Sequence, residues 1–102
     1  MSGGFFDHSQ YTLNQIVTDI EDEIYYNDSE EVNEYNEKRG NGFSEDTMQE
    51  FKLAVWYLKQ ALVYVHEIDW LLSGDTGEKS FHERLTRKLN ALNNTVSNQD
   101  NT

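Results

Sequence analysis

The chain has 102 residues, 36% of them hydrophobic, no cysteine, no proline and a formal charge of −11. That length bounds one domain. The missing cysteines exclude a disulfide scaffold, a thiolate metal centre and a thiol nucleophile, and the charge disfavours nucleic acid and anionic lipid as ligands. The charge is also segregated: 13 of 19 acidic and two of eight basic side chains lie in residues 1–51, so that half carries the entire −11 and residues 52–102 balance.

Residues 1–8 open with Gly3, Gly4, Phe5 and Phe6. Adjacent phenylalanines need cover, so they are expected to form an aromatic arm that lids the helices. Ser9 suits a helix N-cap. Leu13, Ile16, Val17, Ile20 and Ile24 then repeat at helical spacing, which predicts a first amphipathic helix ending near Tyr26. Residues 27–43 are polar, acidic and then glycine-rich. Ser29 can start a short helix anchored by Val32 and Tyr35, and Gly40-Asn41-Gly42 marks a turn.

Phe43-Ser44-Glu45-Asp46 opens the strongest element. Ser44 is an N-cap, two carboxylates follow where the helix dipole favours them, and Phe43 and Met48 have hydrophobic-staple spacing. Met48, Phe51, Val55, Leu58, Leu62, Val65, Ile68 and Leu72 form a near-heptad stripe, while Leu53, Trp56, Val63, Tyr64 and Trp70 lie off it. A helix apolar on more than one face is covered by several neighbours or by a second copy of the chain. Gly74 ends this helix in the left-handed conformation. Asp75 and Glu78 have capping-box spacing, and Phe81, Leu85, Leu89 and Leu92 define a third helix whose Arg84, Arg87 and Lys88 suit its C-terminal end. The expectation is an all-α fold, a small three-helix bundle with a long central helix, over residues 1–92, with a polar disordered tail over residues 93–102. Self-association as a homo-oligomer is expected, because two short helices cannot cover so long a multi-faced one.

Three sets of residues carry chemistry. Asp19, Glu21, Asp22, Glu23, Asp28, Glu30, Glu31, Glu34 and Glu37 fall within one short stretch. Such a stretch is either a solvated face or a surface for a basic protein, with Tyr25, Tyr26, Trp56 and Tyr57 as aromatic anchors. Trp70, Ser73, Gly74, Thr76, Gly77, Lys79, Phe81 and Arg84 surround a glycine-punctuated interhelical turn. Backbone N–H groups and cations there suit an anion or nucleotide, although the P-loop spacing is missing. A purely conformational turn explains the same glycines. His66 and Asp69 lie one turn apart, and with His8 or His82 they invite a metal or acid–base reading. A structural hydrogen bond explains the pair more simply, since no double-His motif or nucleophile–base–orienter set accompanies it. No catalytic residue, metal ligand or cofactor is therefore assigned.

The opening SGGFFD at residues 2–7, Tyr11, the stretch DIEDEI at residues 19–24, and above all IDWLLSGDTGEKSFHERL at residues 68–85 resemble a group of small uncharacterised phage and prophage proteins. The resemblance covers most of the chain up to about Leu89. It implies a phage accessory factor that blunts host defences or redirects host enzymes, acting in the host cytoplasm. No site residue is carried over from it.

Taken together, these residues point to a non-enzymatic acidic binding protein that inhibits a host protein with a basic surface. The alternative is an oligomeric sponge that sequesters a nucleotide immune signal at the glycine turn. A small hydrolase built on His66 or His82 is the weakest reading. The chain has no apolar run of membrane-spanning length and no signal-peptide pattern at its start, so the expected compartment is the cytoplasm.

Overall fold

A computed structural model describes residues 5–6 and 9–100, with side chains of the last helix described as far as Asn94. The fold is all-α: α1 spans Ser9–Tyr25, α2 Glu45–Leu72 and α3 Glu78–Asp100. No described helix is long and apolar enough to cross a membrane. The central helix is 28 residues long. Both flanking helices run antiparallel to it. Gln10 reaches His66 while Glu21 reaches Lys59, and Arg84 reaches Glu67 while Gln60 reaches Asn93. Each outer helix packs on α2, and among the described residues neither packs on the other.

The result is a shallow layer, 53 × 35 × 15 Å, with a radius of gyration of 17.5 Å. A compact chain of this length has a radius near 13 Å. Among the described residues the buried apolar side chains are few: Val17 from the α1 stripe, and Met48 and Val55 from the α2 stripe. The largest fully buried side chains are two carboxylates, Glu67 and Asp69.

Local chemistry sets the element ends. The Ser44 hydroxyl accepts the Thr47 N–H at 3.3 Å, as an N-cap does. The Phe43 ring packs toward Phe51, with centroids 6.0 Å apart. At the other end of α2, the Gly74 N–H donates to the Leu71 carbonyl and the Asp75 N–H to Trp70, with Gly74 at φ +80°. That pattern is a Schellman motif, which needs the left-handed residue that glycine supplies.

The structure departs from the sequence reading in several places. No helix forms from Ser29; the segment folds back through an antiparallel bridge between Val32 and Lys38. Val32 and Tyr35 are exposed, so nothing buries the face such a helix would need. α3 starts at Glu78, which leaves Gly77 and not Asp75 at the cap position, and it runs to Asp100, beyond Leu92 where the tail was expected to begin. No glycine or proline interrupts it there. Arg84, Arg87 and Lys88 consequently sit in its first half, away from the dipole's negative end. The arm is pinned mainly through its backbone: the Phe5 N–H donates to the Ser73 hydroxyl and the Phe6 N–H to the Asp69 carboxylate, both at 3.1 Å. Phe6 is half-buried and Phe5 exposed.

Candidate interaction surface

The turn after α1 folds residues 26–44 into a closed loop. Asn27 is buried, and its side-chain oxygen accepts the Phe43 N–H while its amide donates to the Phe43 carbonyl, each at 3.0 Å. Gly42 donates its N–H to the Asn27 carbonyl at 2.8 Å. Asn33 holds the tip: its Oδ1 accepts the N–H groups of Tyr35 and Glu37. This is an Asx turn, a motif that takes its order from one short polar side chain. Asn36 follows with φ 63°, a conformation that asparagine tolerates. The base is tied to α1 by Arg39, which pairs with Glu23 at 3.0 Å and lies 4.5 Å over the Tyr26 ring. Asn41 also donates to Glu23 at 2.9 Å.

This architecture brings the nine acidic residues of the sequence reading into one half of the molecule, from Glu21 beside Lys59 at the middle of α2 to the closed loop. They occupy the later turns of α1 and the closed loop, beside the start of α2. Their states differ. Glu21, Glu23 and Glu30 are paired with Lys59, Arg39 and Lys38. Asp19, Asp28 and Glu37 accept hydrogen bonds from the amides of Gln15, Asn27 and Asn33. Asp22, Glu31 and Glu34 are exposed, and no side-chain partner joins them among the described residues. Of the four proposed anchors, Tyr25 is 80% exposed in this half, Tyr26 lies under Arg39, Trp56 is half-buried and Tyr57 is exposed on α2. Tyr35, first read as a helix anchor, is 75% exposed at the loop tip among the carboxylates. Its polar neighbours on both sides were the available signal.

The glycine turn is more occupied than its sequence suggests. The N–H groups of Gly74 and Asp75 close the Schellman motif, and the Ser73 hydroxyl holds Phe5. Arg84 lies 4.6 Å over the Trp70 ring and donates to Glu67 at 2.9 Å. Phe81 and Thr76 are half-buried, and Gly77 and Lys79 are exposed. A shallow apolar groove of about 430 Å³ lies elsewhere, between α2 and α3, lined by Lys59, Leu62, Val63, Lys88, Ala91 and Leu92.

Glu67 is the residue that sequence reading missed. Its carboxylate is fully buried, with Lys88 Nζ at 2.6 Å and Arg84 Nε at 2.9 Å. Burial alone pushes its carboxyl up, but the hydrogen bonds and charges of Arg84 and Lys88 outweigh that and hold it below the ordinary value. The signal was the spacing of Arg84 and Lys88, two cations four apart on one helical face. His66 and Asp69 are joined through Gln10, whose amide nitrogen donates to Asp69 at 3.3 Å and whose oxygen lies 3.3 Å from His66 Nδ1. His82 is exposed and His8 lies outside the described residues. Among the described residues, no three histidine or carboxylate side chains gather as a metal would require. No protein-family model, curated protein or solved structure matches the chain.

Proposed function

We propose that this protein is a non-enzymatic binding protein whose acidic end, built from the later turns of α1 and the loop of residues 26–44, docks on a basic surface of a partner protein and blocks it. The observation that carries this reading is the combination at that end of unpaired, exposed carboxylates with exposed tyrosines. Asp22, Glu31 and Glu34 supply long-range attraction, which sets encounter rate and orientation. Tyr25 and Tyr35 supply apolar area at low entropic cost, the kind of anchor on which interface energy concentrates. The proposed setting, which rests only on the resemblance read from residues 68–85, is that of a phage accessory factor acting on a host protein in the host cytoplasm. The nucleotide-sequestering alternative draws less support, because Arg84 is already committed to Glu67 and Trp70.

The test begins with proteins captured from host lysate and then measures the affinity of each by titration. Converting Asp22, Glu31 and Glu34 together to their amides spares the pairs of Glu21, Glu23 and Glu30. It should weaken the true partner at least tenfold, and Tyr35→Ala should weaken it further. Unchanged affinity in both variants removes this reading.

A further inference from the structure

Among the described residues, one face of α2 has no partner. At about 100° per residue, the side chains that meet α1 and those that meet α3 occupy two adjoining arcs of the helix. The remaining arc carries Leu53, Ala54, Tyr57, Leu58, Ala61, Tyr64, Val65, Ile68, Leu71 and Leu72, a run of about five turns without a charged residue. Leu53, Tyr57, Tyr64 and Leu72 are 44%, 59%, 45% and 53% exposed.

We propose that this face is the interface between two copies of the chain, packed with their α2 helices antiparallel. Four observations select a second copy. Stable domains stack at least two layers around an apolar core, and here one layer 15 Å thick buries three apolar side chains among the described residues, Val17, Met48 and Val55. The face is electrically blank, and residues 52–72 as a whole carry two lysines against Glu67 and Asp69, so no like charges oppose each other within the contact itself. Its size is sufficient: half-exposed side chains of this kind offer on the order of 100 Å² each. Those four side chains alone would bury about 800 Å² over both copies, and the half-buried residues between them bring the total near the roughly 1,000 Å² that a specific interface needs. Its relief is self-complementary: a two-fold axis between positions 62 and 63 sets Tyr64 over Ala61 of the second copy, Tyr57 against Ile68 and Leu53 against Leu72, each twice.

Charge selects the direction. A parallel pair brings both acidic ends together. An antiparallel pair about that axis points the two loops of residues 26–44 in opposite directions, with the α2 N-termini roughly 50 Å apart. The dimer thus displays one acidic docking end at each pole, a property that does not depend on which partner those ends take.

The experiment uses the full chain. Analytical ultracentrifugation at about 100 µM should give a dimer. Tyr64→Glu and Leu53→Glu change exposed positions, so far-UV circular dichroism should stay helical while self-association weakens at least a hundredfold. A monomer at that concentration overturns the proposal and leaves the face to an unlike partner; a dimer that survives both charged variants overturns it too. Direction is read by cross-linking, which is clean in a chain with no cysteine. Mixed Leu53→Cys and Leu72→Cys proteins should form a disulfide with each other. Self-cross-linking of Leu53→Cys alone, without the mixed product, overturns the antiparallel arrangement.

Discussion

Glu67 shows how a single charge can organise a helix pair. A buried carboxylate is costly unless paired, and here two cations from α3 converge on its two oxygens. Arg84 and Lys88 keep part of their length in water, so losing Glu67 strands them only partially. Glu67→Gln should therefore lower stability at pH 7 by about 2 kcal/mol, below the full cost of a buried unpaired ion. The same pairing gives a pH dependence. The folded carboxyl lies below its unfolded value of about 4.3. The stability it contributes is therefore fully present above that value and is lost as pH falls through the folded one. Urea unfolding at pH 7, 5, 4 and 3 should show a drop below about pH 4 that is flatter in Glu67→Gln. An equal drop in both proteins would mean that other carboxylates govern the acid transition.

At the scale of elements, what was legible depends on where the bonds go. The helices were readable because apolar residues at 3.6-residue spacing report directly on a buried stripe: Val17, Met48 and Val55 are buried members of the predicted stripes. Ser44 and Gly74 were readable because their roles are local. The loop of residues 26–44 was not, since its order comes from Asn27 reaching Phe43, sixteen positions away, and from Arg39 reaching back to α1. Composition alone made that segment resemble a short helix followed by a flexible turn. Gly40 and Gly42 separate two kinds of glycine requirement in it. A Cβ at Gly40 would lie 2.6 Å from the carbonyl oxygens of Tyr26 and Asn27 and 2.7 Å from that of Ser29, all of them backbone. At Gly42 there is open space but φ is +68°. Gly42→Ala should cost about 1 kcal/mol, the price of a left-handed alanine. Gly40→Ala should cost about 2 kcal/mol or more, because the chain must part where Asn27 closes it. Urea denaturation of the two variants checks the order. Equal costs would show that backbone dihedral, and not contact with those carbonyls, sets the requirement at position 40.

At the scale of the whole molecule, the charge is segregated along the chain. Residues 1–51 carry 13 of the 19 acidic side chains, and the blank face of α2 runs along the balanced remainder. These two surfaces should respond to salt in opposite ways. Attraction between exposed charges is screened over a Debye length, about 10 Å at 0.1 M. Binding of a basic partner at the acidic end should thus weaken about tenfold between roughly 50 and 300 mM sodium chloride, chiefly through a slower on-rate. Contact across the α2 face buries apolar area and no ion pair. Its affinity should hold within about twofold, or tighten as repulsion between copies of net charge −11 is screened. Sedimentation equilibrium and partner titration over one salt series read both quantities on the same protein. Divergent slopes require two separate surfaces. Parallel losses would mean that self-association also runs through the carboxylates, because burial of Leu53, Tyr57, Tyr64 and Leu72 offers salt nothing to screen.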